Sequence, residues 1–198
     1  MDLEIRNYRN EDEDGWVRCR TLSFLDTAYY DHVLREKEVY ENPSIELVAV
    51  IENTIVGLLD IEYERKEGTV CSRGNGLGGM IWHVAVHPDF RRKGIGKKLL
   101  LKSQEISNEI GLDYLEAWTR DDEWVKNWYE LHGFQQEESY LHVFIDGEEL
   151  SGVMKSDIPH LHPVGAFAHY VGEDNDAIKK KFKRTHECFC YKKKINCE

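Results

Sequence analysis

The sequence predicts an α+β fold, a mixed and mostly antiparallel sheet of about seven strands flanked by four or five helices, and three observations carry that expectation. Two apolar runs, Ile45 to Ile51 and Ile55 to Tyr63, stand either side of Glu52-Asn53-Thr54, as the arms of a β-hairpin do. Met80 to Val86, a glycine-bearing turn, a helical pattern and Tyr114 to Trp118 follow in the order of a right-handed parallel crossover. Later runs at Tyr140 to Ile145 and Glu187 to Ile195 return the chain to antiparallel pairing.

Leu3 to Tyr8 alternates apolar and polar as a half-buried strand does, and Asn10 followed by Glu11 to Asp14 opens a helix with acids at its positive end. That helix runs to about Leu25. A second helical stretch is expected over about 31–41, stopping before Pro43. Residues 64–79 read as loop. Gly94 to Glu109 places Leu99, Leu100 and Ile106 at helical spacing and ends at Gly111. Glu123 to His132 is the next helix, ended by Gly133. Residues 148–175 carry scattered Gly, Pro and His without period, and 176–184 is a basic helix.

The chain of 198 residues reads as a single domain over 1–198, with 148–185 inserted between the last two strands. Its net charge of −11 argues against nucleic acid, which is gripped by an excess of Lys and Arg, and suits an amine. No apolar run has the roughly 18 residues of a membrane span, and Met1-Asp2-Leu3-Glu4 does not start as a signal peptide does, so a cytoplasmic location without membrane attachment is expected. Five cysteines without framework spacing fit free thiols. Cys188-Phe189-Cys190 near His186, and His160 and His162, are too few ligands for a zinc site, and no metal is expected.

Arg91-Arg92-Lys93-Gly94-Ile95-Gly96 lies between a strand and a helix, where free backbone N–H groups and the helix's positive end cradle an anion. With Lys97 and Lys98 it is the densest basic patch in an acidic chain and favours a polyanion such as a pyrophosphate. Lys97 is followed by lysine rather than Ser or Thr, so it is not a Walker loop. Gly74-Asn75-Gly76-Leu77-Gly78-Gly79 matches the dinucleotide fingerprint in letters, but a strand follows it where a helix is required.

Ile81 to Pro88, then Arg91-x-x-Gly94-x-Gly96, then Trp128-Tyr129-Glu130-Leu131-His132-Gly133-Phe134, resemble in order and spacing the GNAT superfamily of acetyl-CoA-dependent N-acetyltransferases. The resemblance covers about residues 1–145 and the last strand. It implies a splayed sheet whose strands at 81–86 and 114–118 part around the pantetheine arm of acetyl-CoA, with the backbone of Val84, Ala85 and Val86 bonding its amides. It places the pyrophosphate on Arg91, Arg92, Lys93, Gly94, Ile95, Gly96 and Lys97. Tyr129 stands where family members keep a tyrosine that protonates the departing thiolate, a task that suits a phenol with pKa near 10. Asp122 replaces an asparagine that contacts the cofactor in many members.

The acceptor amine must lose a proton, and the strand positions where the family often has glutamate are here Gly78 and Met80. His83 is the expected base, with Glu62, His87 and Glu116 in reserve. The expected activity is direct acetyl transfer from acetyl-CoA to an amine-bearing small molecule or peptide; an acyl-CoA-binding module without turnover is the alternative. The sequence leaves oligomeric state open, a homodimer included. The insertion is expected to cover the acceptor pocket.

Overall fold

The computed structural model describes residues 2–195. Strands β1 (Glu4–Asn7), β2 (Ser44–Ile51), β3 (Thr54–Tyr63), β4 (Gly78–Val86), β5 (Tyr114–Arg120), β6 (Gln135–Asp146), β7 (Gly165–Tyr170) and β8 (Arg184–Lys194) form one sheet in the order β1-β2-β3-β4-β5-β8-β6-β7. Every neighbouring pair is antiparallel except β4 and β5. Helices α1 (Glu13–Phe24), α2 (Ile95–Ile110), α3 (Glu123–Leu131) and α4 (Asn175–Lys181) complete the α+β architecture. Among the described residues no helix is long and apolar enough to cross a membrane.

Strand β2 is apolar on both faces because a helix covers each one. Its Leu47, Ala49 and Ile51 pack with Leu99 and Leu100 of α2, while Val48 and Val50 pack with Trp16 and Cys19 of α1. The β2–β3 turn is tighter than expected: Glu52 and Asn53 both have positive φ, the two-residue form that matches strand twist. On α2 the buried Ile95, Leu99, Ser103 and Ser107 recur every four residues, and Gly111, at φ 86, ends the helix by donating to the Ser107 and Asn108 carbonyls.

Residues 31–41 do not form the expected helix; the segment is irregular. Tertiary contacts outweigh its helical propensity. The Lys37 ammonium, 5% exposed, bonds Glu46 at 2.7 Å and Asp60 at 3.2 Å, and the Tyr40 hydroxyl donates to Asp60 at 3.0 Å. The next residue, Glu38, reaches His83 on β4 instead. An open backbone sends these neighbours to separate sites across the sheet.

The insertion is also more ordered than its composition implied. It adds an eighth strand: β7 pairs with β6 from Leu141 opposite Tyr170 to Asp146 opposite Gly165. Its small inward residues Ala166 and Ala168 join a cluster with Val143, Leu150 and Phe182. The longer β6 pairs directly with β8, so the insertion extends the sheet at its edge.

Burial raises the Asp60 carboxyl above its ordinary range, and Lys37 opposes the shift. Removing one member of a buried pair typically costs about 3–5 kcal/mol, because it strands the other charge. Lys37→Met is therefore expected to lower unfolding free energy in urea by about 3 kcal/mol, with at least half recovered in Lys37→Met/Asp60→Asn. A loss below about 1 kcal/mol would mean the pair does not organise this segment.

Candidate active site

Strands β4 and β5 pair only over Gly78 to Ile81 and Tyr114 to Ala117. Beyond that, β4 continues on β3, through Val84 opposite Leu59 and Val86 opposite Gly57, while β5 continues on β8. The two strands part, and among the described residues no strand lies beside the edge of Val84, Ala85 and Val86 that faces β5. A cleft of about 1510 Å³ opens there, between the strand ends, the start of α2, the inner face of α3 and the segment after α1.

At one end the chain turns into α2 through two left-handed residues, Arg92 at φ 62 and Gly94 at φ 75. The first bond of α2 runs from Lys98 N–H to the Gly94 carbonyl, so the N–H groups of Ile95, Gly96 and Lys97 precede the helical ladder and suit an anion. A Cβ added at Gly94 would meet nothing within 4 Å, and one at Gly96 would lie 3.6 Å from the Trp128 ring. The Ile95 side chain is in the core, so only its backbone faces the turn.

The basic side chains divide by role. Arg91 donates to the Ser23 carbonyl at 2.8 Å and pairs with Asp26 at 3.1 Å, tying the end of α1 to the turn, with its guanidinium 5.3 Å from the Trp124 ring centre. The Lys93 ammonium donates to the Asp89 carbonyl. Arg92 and Lys97 make no side-chain hydrogen bond among the described residues, and both are at the cleft.

Tyr129 projects from α3 into the cleft floor, 4% exposed, stacked on Tyr191 at 5.4 Å between ring centres and edge-on to Trp128 and Phe134. Burial raises its phenol well above the ordinary value, so it is protonated at neutral pH. Its hydroxyl has no hydrogen-bond partner among the described residues. Asp122 caps α3 at the cleft, but both carboxylate oxygens accept from the Ala28 N–H, at 2.9 and 3.2 Å, and burial raises its carboxyl.

His83, 5% exposed, lies between Trp16 and the cleft with both ring nitrogens engaged, by Arg20 at 3.3 Å and by Glu38 at 2.5 Å. The reserve bases lie elsewhere. Glu62 accepts from Asn42 and Trp82, and His87 accepts from the Asp89 N–H. Glu116, fully buried, accepts from Ser72, the Arg73 N–H and the Trp118 indole. The Gly74 to Gly79 run packs against Tyr114, where a Cβ at Gly74 would come within 2.0 Å of the ring. Its glycines serve close approach.

The GNAT acetyltransferase domain family matches residues 42–136, which span β2 to the start of β6 and include the parted strands, the anion turn and Tyr129. The chain thus carries a GNAT acetyltransferase domain match over residues 42–136. It is an acyltransferase. An acetyltransferase of Pectobacterium atrosepticum is 27% identical over 124 residues, 61% of this chain and 78% of that protein. In fold the chain is similar to a GNAT-family acetyltransferase from Streptococcus pneumoniae, with TM-score 0.62 and 16% identity over 98% of this chain and all of that one. It is also similar to the PaiA N-acetyltransferase of Thermoplasma acidophilum, solved in complex with coenzyme A, with TM-score 0.53 and 16% identity over 69% of this chain and 92% of that one.

Sequence reasoning missed the polar wall of this GNAT cleft. Arg20, 1% exposed, donates to His83 and to the carbonyl and ring of His32. Its signal was present, since Trp16, Cys19, Arg20 and Ser23 form the buried stripe of α1. Glu38 gave none, because its segment read as helix. Opposite, Arg120 donates to His142, whose pKa burial lowers to about 4, and His142 stacks on His169 of β7 at 4.9 Å. The insertion thus meets the cleft through His169 and Val171.

Glu116→Ala removes the acceptor of four donors that hold residues 72–73 against β5. Unfolding free energy is expected to fall by about 2–4 kcal/mol, since each hydrogen bond to a charged group contributes about 1.5–3 kcal/mol before relaxation. Amide exchange at Ser72 and Arg73 should quicken tenfold or more. Unchanged exchange there would contradict a structural role.

Proposed function

We propose that the protein transfers the acetyl group of acetyl-CoA directly to the nitrogen of an amine, and the observation that carries this reading is the parting of β4 from β5 beside an anion turn and a buried phenol. A pantetheine arm is an extended chain with amides, and the free edge at Val84, Ala85 and Val86 offers it the bonds a neighbouring strand would make. The pyrophosphate suits the N–H groups at 95–97, the open space over Gly94 and the side chains of Arg92 and Lys97, with Lys93, bonded to the Asp89 carbonyl, adding its charge from beside the turn. Arg91 acts behind them by fixing the turn to α1. Asp122, committed to Ala28, contributes by shape.

When bound, acetyl-CoA supplies an activated thioester. Backbone donors near Val84 to Val86 stabilise the negative charge that grows on its carbonyl oxygen. Tyr129 is the general acid, giving its proton to the departing sulfur, while the proton the amine loses as its C–N bond forms passes to water in the open cleft. Burial disfavours the phenolate, but it disfavours the thiolate beside it in the same way, so the transfer is not lost to the raised pKa. His83 holds neighbouring groups rather than acting on the amine itself, because neither ring nitrogen is free.

The activity is tested by CoA release from acetyl-CoA with a panel of amines, alongside cofactor binding by calorimetry. Tight binding without release by any amine would overturn the transferase reading. Gly94→Glu places bulk and negative charge in the space over the turn, and acetyl-CoA affinity is expected to fall about tenfold or more, on the order of 1.4 kcal/mol, in a folded protein. Unchanged affinity would remove the pyrophosphate from this loop.

Tyr129→Phe deletes a hydroxyl that has no hydrogen-bond partner among the described residues, so the melting temperature should hardly move. Turnover is expected to fall about 10²-fold or more, with the KM for acetyl-CoA unchanged. Equal turnover would make Tyr129 a packing residue.

A further inference from the structure

We propose that Glu38, carried by the irregular segment between α1 and β2, receives the ammonium group of the acceptor, and that the acceptor is accordingly a cationic alkylamine; this rests on the acetyl-transfer reading above. An arginine can only donate, so the 3.3 Å contact from Arg20 Nε makes His83 Nδ1 the acceptor. The ring proton of a neutral His83 then sits on Nε2 and is donated to Glu38 Oε2 at 2.5 Å. Arg20, itself 1% exposed, thereby sets the tautomer that holds the Glu38 carboxylate.

The same bond keeps the Glu38 carboxyl below its usual range, so it is charged at neutral pH. Its backbone is fixed too, since the buried Lys37 ammonium donates to the Glu38 carbonyl at 3.2 Å. Oε1 makes no hydrogen bond among the described residues, and the side chain, 41% exposed, faces the cleft. The other two carboxylates on the cleft wall differ in their partners: both oxygens of Asp122 accept from the Ala28 N–H, and Glu138 pairs through Oε1 with the Arg73 guanidinium, a cation, whereas Glu38 is held by a neutral imidazole. Glu38 therefore offers the cleft a carboxylate oxygen whose partner carries no positive charge, beside the half-exposed Trp82 on the same wall. His83 and Arg20 are positioning residues.

Glu38→Gln tests this, because an amide oxygen can still accept from His83 while the charge is gone. Two acceptors are compared under saturating acetyl-CoA at pH 7: 2-phenylethylamine, which is cationic, and aniline, which is neutral. The variant is expected to raise the KM for 2-phenylethylamine tenfold or more, leaving the KM for aniline within about twofold and that for acetyl-CoA unchanged. A merely structural role would move both amines alike, and that result, or no change in either, overturns the proposal.

Calorimetry separates this from the transferase reading. With CoA present, 2-phenylethylammonium or spermidine should bind the wild type and bind Glu38→Gln at least tenfold more weakly, whether or not either is acetylated. Failure of both cations to bind the wild type would sink the Glu38 assignment, while CoA release with other amines would leave acetyl transfer standing.

Discussion

The parting of β4 from β5 after four paired residues is the constraint on which the rest of the molecule depends. Both strands are fully held on their outer edges, β4 by β3 and β5 by β8, so neither can move to close the gap without breaking a ladder. They meet where β4 is made of Gly78 and Gly79, positions at which a Cβ would approach Tyr114 at 2.6 Å and Ile61 at 2.8 Å. They separate where Trp82 and Trp118 begin. Small residues at the joined end and indoles at the open end give the sheet a wedge, and backbone groups that a sheet would satisfy internally are left for a ligand.

What keeps the wedge from being a defect is the packing below and the charge above. On one face α2 and α3 close a core in which Leu99, Leu100, Tyr129 and Tyr191 are buried together. On the other, α1 and the segment after it bring Lys37 to Asp60 and Glu46, and Glu38 to His83. Buried charges are weak contributors to stability, since desolvation offsets much of their attraction, but they specify position well. Here they place an irregular backbone across β3 and β4 at the head of the cleft, where an apolar contact would tolerate sliding.

The sequence made the central strand–turn–helix–strand legible because each part has a local cause. Met80 to Val86 is apolar, Gly94 takes the left-handed turn, and Leu99 and Leu100 bury at helical spacing, all independent of distant contacts. Tyr129 was legible through its motif. The segment 31–41 was not, because Lys37, Glu38 and Tyr40 suit a helix locally and are drawn out of one only by partners on β2, β3 and β4. Strand β7 was hidden because an edge strand with Ala166, Ala168 and His169 carries little of the apolar alternation by which strands are recognised. Glu38 lay in the misread segment, and its pairing with His83 spans forty-five positions that no local pattern connects.

The most direct test of this account is backbone amide hydrogen exchange of the full chain with and without acetyl-CoA. The account predicts that saturating acetyl-CoA slows exchange at the cleft-facing amides among Val84 to Val86 and at Arg92 to Lys97, and leaves β7 at 165–170 unchanged. Protection confined to other regions, or none at 84–86 and 92–97 under conditions where calorimetry shows binding, would contradict the wedge between β4 and β5 as the cofactor site.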